Sequence, residues 1–256
     1  TGLNEKSLKK KDLVYKKDYF SALIYQRSHA GYYPGAAPLA LKLLFDPDGK
    51  IFGAQAVGQD GVDKRIDTLA ATIRLGGTIY DLKELELAYA PPFSSAKDPV
   101  NMLGFVAENI LTGKVDFLRW DEIETLDLET TTILDVTEAM ERTVGHIPYS
   151  EHIPLGQLRE KLDKLNKDKL IVTYCAIGVR AYIAARILME NGFKKVMVFE
   201  GGFGFYKALF HDKNIEEKPA IKAPLVAAAS VKSNHIDTNN IKTALDIDCS
   251  GLQCPG

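Results

Sequence analysis

The stretch "YCAIGVRAYIAARIL", residues 174 to 188, ends an apolar run on a cysteine, sets an arginine at Cys-x4-Arg spacing, and continues with helical periodicity. A strand ending at Tyr174 and a helix beginning near Val179 place Cys175 at the carboxyl edge of a parallel sheet, where α/β proteins put their ligand sites. The backbone amides of Ala176, Ile177, Gly178, Val179 and Arg180, together with the helix N-terminus, then aim positive dipole at the sulfur, and the Arg180 side chain adds a fixed charge. In such a setting Cys175 is expected to be largely thiolate at neutral pH, not an inert core thiol. A cysteine held this way can carry a sulfur atom or a phosphoryl group.

The elements that must position this loop alternate. "TTILDV", "KLIVTY" and "KVMVF" are short continuous apolar runs, as expected of strands buried on both faces. Helix-like "TEAMER", "PLGQLREKLDKL", "VRAYIAARILMENG" and "GFGFYKALF" lie between and after them, which predicts a parallel sheet covered on both sides. Along the Cys175 helix, Ile183, Ile187 and Leu188 are expected to face the sheet.

The first part of the chain has a different pattern. "FSALIYQ", "LALKLLF" and "IFGAQAV", separated by "YYPGAAP" and "DPDGK", predict an antiparallel meander. Ile66, Leu69, Ala70 and Ile73 recur at helical spacing and Gly76-Gly77 ends that run. Thr78 and Asp81 form a capping-box pattern, and Asp98 can cap a last helix ending at Gly113. Three strands with helices against them make an α+β domain. At about 150 residues per domain, 256 residues favour two.

Composition narrows the function classes. With 32 basic and 34 acidic residues there is no overall field for nucleic acid or an anionic membrane, and no apolar run approaches the roughly 20 residues of a membrane span. Three cysteines are too few for a disulfide framework and fit a reducing, cytoplasmic setting. Residues 213–243 lose periodicity and predict a linker.

From "ILDVTEAMERTVGHIPYSEHIPLGQLREKL" through "IVTYCAIGVRAYIAARIL" to "VMVFEGGFGFYKAL", residues 116–212 resemble a rhodanese domain. The six-residue loop is one residue shorter than the Cys-x5-Arg cradle of cysteine-dependent phosphatases and suits a single terminal sulfur. The resemblance implies ping-pong sulfur transfer through a Cys175 persulfide, stabilised by the loop amides and Arg180. Asp135 matches the acidic residue that braces the cysteine loop, and His146 a turn position where a buried, hydrogen-bonded histidine is expected. The sequence departs at Thr137, where an arginine is common, which puts the bracing ion pair in question. A redox sensor or docking module with little turnover is the alternative.

Residues 1–114, with "HAGYYPGAAP" and "LAYAPPFSSAKDPVN", resemble the dimerisation domain of flavin-dependent pyridine nucleotide-disulfide oxidoreductases, nearest the CoA-disulfide and CoA-persulfide reductases. The resemblance implies a homodimer in which Tyr89 and one of Tyr32 and Tyr33 reach the partner's reductase site. Each tyrosine is equally read as an interface aromatic. No G-x-G-x-x-G opens a βαβ unit in this sequence, so FAD, NAD(P)H and CoA are implied for a longer protein with further domains upstream, and none is expected to bind this chain alone. "DIDCSGLQCPG", residues 244–256, resembles the start of a TusA-like sulfur carrier. There Cys254 would accept sulfur from Cys175, helped by a linker that raises its effective concentration to roughly millimolar. A zinc site from Cys249 and Cys254 lacks its other ligands, so no metal is expected. The expected partners are a small sulfur donor and a thiol acceptor or carrier protein.

Overall fold

The computed structural model describes residues 1–210, which divide into two compact units at Lys114 and Val115. The expected linker and the TusA-like segment, with Cys249 and Cys254, lie outside the described residues.

In the first unit β1 (Phe20–Arg27), β2 (Pro38–Phe45) and β3 (Ile51–Gly58) form an antiparallel sheet in that order. Leu39, Leu41, Leu43 and Phe45 of β2 share one face and meet α2 (Val62–Arg74), α3 (Ile79–Glu84) and α4 (Pro99–Leu111). The opposite face is covered as well, a feature the strand pattern alone did not predict. There Leu44 packs on Leu8 and Tyr19, and Lys42 reaches Glu5 of α1 (Glu5–Lys9) at 2.7 Å, both side chains only 3% exposed. The Tyr19 hydroxyl donates to the same carboxylate at 3.2 Å, so the buried charges are paired and hydrogen-bonded.

The expected capping box of Thr78 with Asp81 forms, and Asp98, expected as a cap, forms a second box with Asn101. Asp98 does more than cap. Its carboxylate accepts from the Val100 amide at 3.0 Å, the Ser94 hydroxyl at 2.6 Å and Arg65 Nη2 at 2.8 Å, while Arg65 Nη2 also donates to the Ser28 carbonyl at 2.7 Å. The Ala30 amide donates to the Ser94 carbonyl at 3.0 Å. One buried ion pair therefore ties the loop that carries Tyr32 to the loop that carries Tyr89.

In the second unit the sheet order is β4-β8-β7-β5-β6, and every neighbouring pair is parallel. Its strands are β4 (Asp116–Leu118), β5 (Thr131–Asp135), β6 (Glu151–His152), β7 (Leu170–Tyr174) and β8 (Val196–Phe199). Three helices accompany them, α5 (Ala139–Val144), α6 (Val179–Glu190) and α7 (Gly202–Leu209). The fold is thus the expected pairing of an antiparallel α+β unit with a parallel α/β unit. Two local expectations differ. Residues 155–164 form 3₁₀ turns interrupted at Lys161, not an α-helix. Ile183 is 40% exposed, whereas Ala181, Ala184, Ala185, Ile187 and Leu188 form the buried face of α6. Small residues let the helix lie closer to the sheet and rotate Ile183 outward. No helix among the described residues is long and apolar enough to cross a membrane.

Burial alone would raise the Asp98 pKa, but the Ser94 hydroxyl, the Val100 amide and Arg65 outweigh it and hold it below the usual carboxylate range. A depressed pKa contributes stability above the unfolded-state value of about 3.9 that is lost as pH falls through the folded value. Urea unfolding of the wild type and Asp98→Asn should therefore differ by about 3–5 kcal/mol at neutral pH, and the gap should narrow as pH falls below about 3.9. A gap that stays constant with pH would contradict this account of the ion pair.

Candidate functional site

Cys175 follows β7 directly, and Asp135 ends the adjacent β5 in register with Tyr174, so the two strand ends share the sheet's carboxyl edge. Cys175 is 1% exposed, and its Sγ accepts a hydrogen bond from the Gly178 amide at 3.1 Å. Gly178 has φ +126°, with nothing within 4 Å of where a Cβ would stand, so glycine is needed there for the backbone angle and not for space. Immediately after it α6 begins, and its first N–H groups have no partner inside the helix.

The loop is held from behind by α7. The Phe203 amide donates to the Cys175 carbonyl at 2.8 Å and the Gly204 amide to the Ala176 carbonyl at 2.9 Å. This approach depends on Gly202, whose φ is +65° and where a Cβ would lie 2.6 Å from the Cys175 carbonyl oxygen. The "EGG" before "FGF" is the signal in the sequence for this contact, and sequence reasoning missed it.

Arg180, expected to face the sulfur, is held by Glu141 of α5 through two hydrogen bonds of 2.5 and 2.6 Å. The Arg180 pKa is pushed up, first by the Glu141 hydrogen bond and, beyond the opposing effect of burial, by the charge of nearby Cys175. The same hydrogen bonding holds the Glu141 carboxyl below its usual range. Glu141 was not among the sequence candidates.

Asp135, 1% exposed, accepts from the Thr137 amide at 2.9 Å and the Thr137 hydroxyl at 2.6 Å. Its second oxygen pairs with Arg142 Nη1 at 2.8 Å. The ion pair that Thr137 put in question is therefore present, with the guanidinium delivered from seven residues along the chain. Arg142 also donates to the Ser150 hydroxyl at 3.0 Å and carbonyl at 2.8 Å, and that hydroxyl meets the Tyr174 hydroxyl at 2.9 Å. The Tyr174 hydroxyl accepts from the Ile147 amide at 3.1 Å, and burial drives its pKa upward. His146 departs from expectation, because it is only half-buried and its Nδ1 has no hydrogen-bond partner among the described residues. The turn is fixed instead by the Ile147 amide on Tyr174.

A cleft of about 220 Å³ opens beside the loop, lined by Asp135, Thr137, Glu141, Val144, Gly145, Tyr174, Ala176 and Phe203. That is below the roughly 300–1,000 Å³ of pockets for drug-sized ligands and matches a small reacting group.

In the first unit the Tyr32 and Tyr89 hydroxyls lie 2.8 Å apart, with Tyr32 76% and Tyr89 48% exposed. The hydrogen bond with Tyr89 raises the Tyr32 pKa. Tyr33 takes no part in this pair and sets its ring edge-on to His29 at 5.8 Å. Of the three candidate tyrosines the fold brings together Tyr32 and Tyr89.

With both geometries in view, two family models match the chain: a rhodanese-like domain over residues 120–208 and a pyridine nucleotide-disulphide oxidoreductase dimerisation domain over residues 1–99. The chain carries both domains. A solved structure of reduced Bacillus anthracis CoADR-RHD is 48% identical, with a TM-score of 0.73 over 81% of this chain and 36% of that one. A NAD-dependent persulfide reductase from A. fulgidus is 40% identical, with a TM-score of 0.70 over 80% of this chain and 36% of that one. The coenzyme A disulfide reductase of Staphylococcus epidermidis is 47% identical over 92 residues, 36% of this chain and 21% of that protein. The chain thus spans about a third of the solved relatives and a fifth of the curated one. Both halves of the expected architecture, a dimerisation domain of the CoA-disulfide reductase type and a rhodanese-like domain, are present.

Gly202→Ala should push α7 off the loop, cost about 1–3 kcal/mol in urea unfolding, and slow persulfide formation at Cys175 by about ten-fold or more. Unchanged stability with unchanged persulfide formation would contradict the backing role of α7.

Proposed function

We propose that the rhodanese-like domain is a sulfurtransferase whose nucleophile is Cys175. The observation that carries this reading is the Gly178 amide directed at a cysteine sulfur in a six-residue loop opening on a small cleft. The Cys175 thiolate attacks the outer sulfur of a donor R–S–SH, one S–S bond forms as another breaks, and R–S⁻ leaves with the proton kept on the transferred sulfur. An acceptor thiolate then attacks that outer sulfur, leaves as R′–S–SH, and returns the Cys175 thiolate. The loop amides hold the charge of the Cys175 thiolate and, once the persulfide has given its proton to solvent, that of its outer sulfur, Arg180 supports the loop's positive field, and Asp135 with Arg142 fixes the wall of the cleft.

For the chain as a whole we propose a role within a reductase of CoA disulfide, CoA persulfide or polysulfide, as the names of its relatives suggest. In it residues 1–114 form a homodimer and the Tyr32 and Tyr89 hydroxyls serve the partner's thiol site as hydrogen-bond donors to a leaving thiolate. FAD and NAD(P)H supply the electrons in such an enzyme. We assign them to other domains, since the described residues include no glycine-rich loop between a first strand and a helix. A reducing compartment such as the cytoplasm suits a chemistry that needs a free thiol. Cys254 is proposed as a sulfur acceptor.

The 1% exposure of Cys175 favours one rival, a sensor or docking module that holds sulfur without turning it over. The decisive test is polysulfide treatment followed by intact-mass analysis and turnover with an acceptor thiol. The sulfurtransferase reading expects about 32 Da added at Cys175, released by the thiol over repeated cycles, and lost in Cys175→Ser. Undiminished transfer by Cys175→Ser would sink it, and a stable adduct without turnover would favour the sensor.

A further inference from the structure

An exposed apolar rim borders the cleft beside Cys175. On α5, Met140 and Val144 stand four residues apart on one face and are 78% and 75% exposed. On α6, Val179 and Ile183 have the same spacing and are 49% and 40% exposed, and Ile177 of the cysteine loop is about half exposed. Glu141, between Met140 and Val144 in the chain, takes two hydrogen bonds from Arg180, the neighbour of Val179, and so joins the two helices. Val144 also lines the cleft itself. The outward turn of Ile183 thus adds to an apolar surface around the reactive sulfur. A grouped surface of this kind marks a protein contact, where single exposed apolar residues would not.

From this arrangement we propose that the rim is the docking surface for residues 250–256 of this chain, "SGLQCPG", and that it admits Cys254, not Cys249, to the Cys175 persulfide. The inference rests on the sulfurtransferase reading and says where its acceptor binds. The described residues end at Phe210, directly after α7, and the first turn of α7 contacts the cysteine loop. At 1.5 Å per residue, the 8 residues of α7 put that exit roughly 12 Å from the loop. The 44 residues 211–254 span up to roughly 150 Å when extended, so Cys254 can reach the cleft of its own unit. Cys175 is 1% exposed behind a cleft of about 220 Å³, so an acceptor sulfur carried by a chain must enter on a slender, uncharged segment. Residues 250–256 carry no charge, Gly251, Pro255 and Gly256 put little bulk around Cys254, and Leu252 offers an apolar side chain to the rim. Cys249 instead follows Asp246 and Asp248, whose carboxylates would have to leave water against apolar side chains. The step is Cys254–S⁻ + Cys175–S–SH → Cys254–S–SH + Cys175–S⁻, in which one S–S bond forms as another breaks and the proton stays on the moved sulfur.

The test loads the 256-residue chain with a limiting amount of polysulfide, quenches it with iodoacetamide over time, and reads the added sulfur on each cysteine peptide by mass. Sulfur should appear on Cys175 first and on Cys254 next, at a rate independent of protein concentration. It should still reach Cys254 in Cys249→Ser and should not reach Cys249 in Cys254→Ser. Met140→Lys and Leu252→Glu should each slow transfer to Cys254 by about ten-fold, with loading of Cys175 and its discharge to dithiothreitol within about two-fold of wild type. The double variant, which joins opposite charges, should recover most of the lost rate, a rescue that misfolding of either single variant would not give. Wild-type transfer in Met140→Lys, or sulfur reaching Cys254 as fast in Cys175→Ser, would overturn the docking surface. A rate that rises with protein concentration would give the rim to a second copy and overturn the proposal. A Cys175 that loads and passes sulfur to dithiothreitol but never to Cys254 would overturn it too, leaving the sulfurtransferase reading in place. A Cys175 that takes up no sulfur would overturn both.

Discussion

The approach of α7 to the cysteine loop is the contact on which the rhodanese-like domain depends. Two amides of the helix's first turn close on the carbonyls of Cys175 and Ala176, and only a glycine at 202 leaves room for them. Once those carbonyls are engaged from behind, the loop's amides are free to turn toward the sulfur, as Gly178 does. Anion binding by a loop needs its N–H groups converging on one point, and that arrangement is stable when the paired C=O groups find partners elsewhere. α7 supplies those partners, so the geometry of the cradle is set by backbone and does not depend on a flexible side chain.

Both units use a buried carboxylate paired with a guanidinium to hold functional loops. Asp98 with Arg65 joins the two loops whose tyrosine hydroxyls meet, and Asp135 with Arg142 joins the end of β5 to the turn at Ser150, whose hydroxyl meets that of Tyr174 at the end of β7. Such pairs add little net stability, because desolvation offsets much of the attraction, but breaking one leaves a buried charge unmatched. Their value here is geometric: each fixes the separation of two chain segments that flank a loop or turn. The Arg180 and Glu141 pair differs, since both side chains are partly exposed.

Much of this was legible in the sequence, and the gaps have physical reasons. Apolar runs such as "KLIVTY" and capping residues such as Asp98 carry their own signal, so the central strands and main helices fell where their periodicity put them. β4 and β6, with three and two residues, are too short to show any period. Ile183 turned outward because the alanines of α6 allow a closer approach to the sheet than an isoleucine stripe would. Residues 155–164 have amphipathic spacing without settling into an α-helix. In the site, Cys175 and Arg180 were visible as types at fixed spacing, and Asp135 through the resemblance to a rhodanese domain. Arg142 and Glu141 were not, because in sequence they are two of many charges on a short polar helix, and only the fold turns them to Asp135 and Arg180. Nor could spacing choose between Tyr32 and Tyr33, adjacent residues that the loop sends to different partners.

The central claim is that the cysteine loop is built to hold one sulfur atom on Cys175. A crystal structure of the chain loaded with polysulfide, without acceptor thiol, tests it most directly. It should show a single extra sulfur bonded to Sγ, its outer atom within about 3.5 Å of at least two amides among residues 176–180, on an unmoved loop backbone. An outer sulfur directed away from those amides, or a loop that must refold to admit it, would contradict the account.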